Sequence, residues 1–158
     1  MPIGPDDNAE DIHDRLMLLG GDLVLQTIDQ LEAGTVQAID QSELVTDEPL
    51  RPAPKIFHDT RRIDWQSRDL REQHNFVRGL SPYPAAWASL PNGQEIKIFR
   101  THCEPCQPAE AVGTFVTADK ATLKVAVRGG YLHIDELQLA GRKRMATPDF
   151  LRGTQLDF

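Results

Sequence analysis

The stretch from Arg62 to Ala88, RIDWQSRDLREQHNFVRGLSPYPAAWA, constrains the fold of this chain more than any other. Ile63-Asp64-Trp65 is a short lead-in. Ser67 is then placed to cap a helix whose apolar positions Leu70, Val77 and Leu80 recur near helical spacing, with His74 on the same stripe. Gly79 and Ser81-Pro82-Tyr83-Pro84 stop that helix, because proline lacks a backbone donor and pushes the residue before it out of α geometry. Ala85 to Leu90 follows as a strand. The pattern is that of a helix feeding a β domain through a rigid corner.

At 158 residues and 40% apolar content, the chain suits one domain, or one domain with an appendage. No run approaches the roughly 20 apolar residues of a membrane span, so no membrane partner is expected. The acidic N-terminus lacks the basic and apolar regions of a secretory signal, which makes the cytoplasm the expected location. Charge is divided unevenly. Residues 1–50 carry one basic residue, Arg15, against twelve acidic ones, a net of −11. Residues 51–158 hold the other sixteen Lys and Arg against twelve Asp and Glu, a net of +4. Such asymmetry points to different partners for the two parts, with the basic part suited to a polyanion.

Ile12, Leu16, Leu19, Leu23, Ile28 and Leu31 follow helical spacing, after a turn and cap at Pro5 to Asn8, and Gly34 ends the run. Gly20-Gly21 in its middle costs about 1 kcal/mol per glycine against alanine, which implies close approach of another backbone. The strong apolar face implies a partner outside this chain, or another copy of it. Thr35 to Ile39 reads as a brief strand, and Asp47 to Pro54 as a proline-spaced extended linker. Beyond Leu90 the expected strands are Gln94–Arg100, Ala111–Ala118, Thr122–Arg128 and Tyr131–Ala140. Leu123, Val125 and Val127 point inward, and Thr122, Lys124, Ala126 and Arg128 outward. Thr101 to Glu110 reads as a loop, Asp119-Lys120 as a tight turn, and Thr147-Pro148 as the start of a short last helix. The expected fold is mainly β: a small OB-like Greek-key barrel with flanking helices.

Three local motifs invite chemistry. His102-Cys103-Glu104-Pro105-Cys106 offers half a zinc site, but no second cysteine pair exists to complete it. A redox role requires a helix start that the surrounding prolines do not provide, so a plain loop is expected. His13-Asp14 is poor acid–base geometry, because neighbours on a helix point different ways, and His58-Asp59 falls in a linker. No phosphate loop or nucleophile elbow is present, so no catalytic, cofactor-binding or metal-binding residue is assigned. The basic residues are the candidate site: Arg61, Arg62, Arg68, Arg71, Lys124, Arg128, Arg142, Lys143 and Arg144. Contact with phosphates needs only such cations held along a surface that tracks a nucleic-acid backbone.

RIDW followed by VRGLSPYPAAWA resembles the start of the C-terminal domain of methionyl-tRNA formyltransferases, whose pattern is close to IDW…IRGLxPWPGAW. Residues 2–34, PIGPDDNAEDIHDRLMLLGGDLVLQTIDQLEAG, resemble the last helix of that family's catalytic domain, and PAPKI resembles its linker. ELQLAGRKRMATPDFLRG resembles its closing segment. The four occur in the family's order. The resemblance implies a remnant of the Rossmann-like catalytic domain over residues 1–45, a linker over 46–61, and an OB-like tRNA-binding domain over 62–158. It implies that the parent enzyme formylates initiator Met-tRNA from 10-formyltetrahydrofolate. The family's Asn–His–Asp constellation has no counterpart here, so the chain alone is expected to be inactive. Its implied partners are the initiator tRNA, the N-terminal catalytic domain and, through the exposed helix face, a second copy of itself. An amino-sugar formyltransferase tail or a structural, dimerising module are the alternatives.

Overall fold

A computed structural model describes residues 1–44, 52–117, 119, 121–154 and 156. Residues 46–51 of the expected linker, Ala118 at the end of an expected strand, and Lys120 of the expected turn lie outside the described residues. The chain forms two compact units: residues 11–56, and residues 1–10 together with 57–158.

The first of these units is dominated by helix α1 (Ala9–Glu32), which buries none of its residues. Leu16, Leu18, Leu23, Leu25, Ile28 and Leu31 are all exposed. No atom lies within 4 Å of a Cβ built on Gly20 or Gly21, so the close backbone approach expected there is not made among the described residues. The strand expected at Thr35–Ile39 does not form: among the described residues the segment has no partner to complete a ladder, and it stays exposed.

The other unit is a six-stranded antiparallel sheet with flanking helices. Its strands are β1 (Ala86–Ser89), β2 (Glu95–Pro105), β3 (Phe115–Val116), β4 (Lys124–Val127), β5 (Gly130–Leu139) and β6 (Met145–Ala146). They are ordered β1-β2-β5-β4-β3, with β6 paired to β5. Helix α2 (Leu70–Leu80) turns Leu70, Gln73, His74, Val77 and Leu80 toward the sheet, and α3 (Thr147–Gly153) anchors Phe150. Ile96, Ile98, Leu132, Ile134 and Leu137 from the two long central strands complete the core. Each such side chain contributes about 1.5–3 kcal/mol when removed from water.

Four local expectations change. The α2 cap is Asp69, not Ser67: its carboxylate accepts from the Glu72 N–H while the Glu72 carboxylate accepts from the Asp69 N–H, a reciprocal capping box. The expected loop after Arg100 is strand as far as Pro105, because Thr101, His102, Cys103 and Glu104 pair with Ile134, His133, Leu132 and Tyr131. The expected strand at Ala111–Ala118 shrinks to Phe115–Val116. Ala126, expected outward, is fully buried, because the Ala111–Thr114 turn bonds back onto it through Gly113 and Thr114.

The N-terminal segment joins the sheet unit through specific bonds. Arg78 donates to the carbonyls of Gly4 (3.1 Å) and Asp7 (2.6 Å), and the Ala9 N–H donates to the Ser81 carbonyl (3.1 Å). His74, 8% exposed, shares a hydrogen bond with the Thr101 hydroxyl (2.9 Å) and another with the Pro5 backbone. Burial, then the charges of Arg78 and Arg71, hold its imidazole below the usual range. It is a neutral brace.

Candidate nucleic-acid interface

A cation can meet a phosphate only if its charge is exposed and not already satisfied. By that test the nine candidate residues divide. Arg61 donates to the carbonyls of Pro84 (2.7 Å) and Ala85 (3.0 Å), so it braces the proline corner. Lys124 is held by Glu104 at 2.8 Å and lies 3.8 Å from the Tyr131 ring centroid, with a side chain only 16% exposed. Arg144 pairs with Glu136 at 2.6 Å and lies over Phe99, whose burial it completes. These three are committed to the fold.

The others lie in three places, all exposed except Arg68, which is half-buried with its guanidinium 4.0 Å from the Phe76 ring centroid. Arg62 lies 5.6 Å from the ring centroid of Trp87, which also stacks on His58. Arg68, Arg71 and Arg128 gather where α2 begins beside the β4–β5 turn. Arg68 donates to the Ser67 hydroxyl (3.3 Å) and Arg128 to the Ser67 carbonyl (3.4 Å). Arg142 and Lys143 are exposed on the β5–β6 turn, whose shape is fixed by Gln138 donating to the Arg142 carbonyl at 2.7 Å.

Two further exposed cations lie on β2. Lys97 stands between Trp87 and Gln138 in a single cross-strand row. Arg100 follows a register shift and lies opposite Glu136, the carboxylate taken by Arg144. Among the described residues neither side chain has an ion-pair partner. The alternation of Ile96 with Ile98 already placed Lys97 on the outer face, so this signal was present in the sequence. The register shift that sends both Ile98 and Phe99 inward was not.

The outer sheet face also carries a chain of hydrogen-bonded polar side chains. His102 shares a hydrogen bond with Asp135 (2.8 Å) and stacks on its cross-strand partner His133, ring centroids 4.3 Å apart. His133 meets Glu104 at 2.5 Å. Lys124 and then His133 hold the Glu104 carboxyl below its usual range. Tyr131 donates to Glu110, which lowers the acid and raises the phenol.

The HCEPC motif does not converge on a metal. Strand alternation sends His102 outward and Cys103 inward, where its thiol faces the Leu70 carbonyl, and burial raises the thiol pKa. Among the described residues no group of three or more His, Cys, Asp or Glu side chains could hold a metal ion. His13 and Asp14, expected to diverge, do meet at 3.1 Å, because both side chains are free at the surface to turn toward each other. His58 lies 3.6 Å from both Asp59 and Glu95, also exposed.

An antiparallel sheet braced by a capped helix, with a proline corner at its start and cations along its outer face, has a match among known domains. Residues 55–155 match the family described as Formyl transferase, C-terminal domain, and the chain belongs to that family. It is similar to methionyl-tRNA formyltransferases from Bacteroides fragilis, at 46% identity over 160 residues, and Bacteroides thetaiotaomicron, at 45% over 166 residues. Each match covers 99% of this chain and 49% of the relative. The methionyl-tRNA formyltransferase of Porphyromonas gingivalis is 37% identical over 162 residues, covering 99% of this chain and 50% of that protein. The chain thus spans about half the length of these curated relatives. Among solved structures, a variant of HypX from Aquifex aeolicus shares the fold with a TM-score of 0.67 at 17% identity, covering 99% of this chain and 28% of that one.

Proposed function

We propose that this chain is the tRNA-holding C-terminal region of a methionyl-tRNA formyltransferase. The parent enzyme would act in the cytoplasm, transferring a formyl group from 10-formyltetrahydrofolate to the amino group of initiator Met-tRNA. The chemistry belongs to the half of the relatives' length that this chain does not cover. The apolar side of α1 packs on that half in the parent, which accounts for its exposure here. The observation that carries the reading is the set of exposed cations on the sheet unit, seen in a chain so similar to enzymes of that name.

The geometry supports a division of roles among the cations. Arg62, Lys97, Arg142 and Lys143, with the Arg68–Arg71–Arg128 group, would contact phosphates and set the orientation of the nucleic acid without reading its sequence. Arg61, Lys124 and Arg144 keep the surface in shape. The test is a fluorescence titration of initiator tRNA with the 158-residue chain. The joint change Arg142→Ala and Lys143→Ala should lower affinity and reduce the slope of log K against log salt by about 2, one per lost phosphate contact. An unchanged affinity and slope in that variant would refute the assignment of the β5–β6 turn. Absence of any tRNA binding by the unmodified chain would refute the proposed function itself.

A further inference from the structure

Where α2 begins beside the β4–β5 turn, the surface holds a groove of about 320 Å³, near the lower end of the ~300–1,000 Å³ range of ligand sites. Its floor is Leu70, Cys103, Pro105 and Gly129, and Arg71 and Arg128 stand on its walls. Asp69 also lines it, but that carboxylate accepts the Glu72 N–H, and the Glu72 carboxylate is itself bound to the Asp69 N–H. Both acids in reach are therefore occupied by the helix cap. Against them stand the two guanidiniums of Arg71 and Arg128; Arg68 does not line the groove and lies 4.0 Å from the Phe76 ring centroid. Arg71 has no hydrogen-bond acceptor among the described residues, and Arg128 has only a long bond to the Ser67 carbonyl, at 3.4 Å.

An apolar floor between two guanidinium groups is complementary to one class of ligand: a flat uncharged ring joined to an anion. The floor offers a surface for a ring to lie on, and a guanidinium plane can stack on that ring or bind the adjoining phosphate. A metal ion is not favoured, since the thiol in the floor is held neutral by burial and faces the Leu70 carbonyl. An apolar peptide side chain alone would leave the two cations unused.

We infer that this groove is a subsite for one unstacked nucleotide of the bound RNA, with its base on Leu70, Cys103 and Pro105 and its phosphate between Arg71 and Arg128. The inference rests on the proposed function and adds to it a contact with a base. It also gives the HCEPC motif a role: Cys103 and Pro105 are the part of β2 that forms the floor. The β4–β5 turn at Gly129 and Gly130 keeps that floor low, because a Cβ on Gly130 would press into the Glu104 carbonyl and sit 2.7 Å from Leu70 Cδ2.

Cys103 supplies a reporter inside the site. In a Cys106→Ser chain, maleimide modification of Cys103 should be slowed at least about fivefold by saturating initiator tRNA, and more weakly by a high concentration of adenosine monophosphate. The joint change Arg71→Gln and Arg128→Gln alters only exposed side chains. It should weaken tRNA binding by about tenfold and remove the protection by adenosine monophosphate. If tRNA binds but the Cys103 rate is unchanged, the subsite is refuted while the proposed function stands. The same holds if the arginine variant binds tRNA as tightly as the original. If the chain binds no tRNA, the proposed function fails first and the subsite fails with it.

Discussion

Replacing Gly130 by alanine probes the junction that holds the sheet, the α2 cap and the arginine-flanked groove together. Gly130 has φ +155, in a region open in practice to glycine alone, and pairs with Pro105 on β2 and Val127 on β4. Backbone strain of this kind costs about 1–3 kcal/mol. The added methyl would also meet the Glu104 backbone carbonyl, which cannot rotate away, and Leu70 Cδ2 at 2.7 Å. Overpacking adds about 1–3 kcal/mol, so the total loss is about 2–6 kcal/mol, a large share of the ~5–15 kcal/mol typical of a domain. Urea unfolding followed by tryptophan fluorescence measures it, since both tryptophans lie in the sheet unit. Gly79→Ala is the matched control. Gly79 lies within α2 with no atom within 4 Å of its built Cβ, and alanine there should raise stability by about 1 kcal/mol. A Gly130→Ala chain destabilised by less than about 1 kcal/mol would show that the turn yields and that the packing assigned to it is wrong.

Two other outcomes concern the titrating groups. His74 is held below its ordinary value of 6.5 in the folded state, so its contribution to stability is complete above that value and is lost as pH falls through the lower folded pKa. The unfolding free energy should therefore decline as pH drops below 6.5, and His74→Gln should flatten that decline; an equal decline in the variant assigns it to other groups. Lys124 is committed to Glu104, so Lys124→Met should leave the salt slope of tRNA binding unchanged while the Glu104 carboxyl, followed by NMR titration, moves up toward its ordinary value. A fall in the slope by about 1 would return Lys124 to the nucleic-acid surface.

Much of the fold was legible because it is written at short range. The spacing of Leu70, His74, Val77 and Leu80 specified the buried face of α2, and the two prolines specified where it ends. The mainly β character of the chain beyond Leu90 was equally plain. The features that escaped depend on partners distant in sequence. His102 to Glu104 looked like loop because the prolines and cysteines nearby carry turn signals, whereas β5 supplies a full set of ladder partners. Thr35–Ile39 has strand-like residues and no such partner among the described residues.

The candidate surface was legible only as an inventory. A sequence shows where a cation is but not what it is bonded to. Arg61 and Lys124 were indistinguishable from Arg142 until the carbonyls of Pro84 and Ala85 and the Glu104 carboxylate came into view. Lys97 and Arg100 were overlooked although strand alternation exposes the first. Residues 1–10 fall in one compact unit with the sheet, where Arg78 bonds to the Gly4 and Asp7 carbonyls.

The most direct test of the account is the affinity of the 158-residue chain for initiator tRNA, measured over a fourfold range of salt. Contact of about seven phosphates, one for each cation assigned to the surface, predicts that log K falls linearly with log salt, losing about a thousandfold or more in affinity across that range. Binding that does not vary with salt, or no binding at the lowest salt, would contradict it.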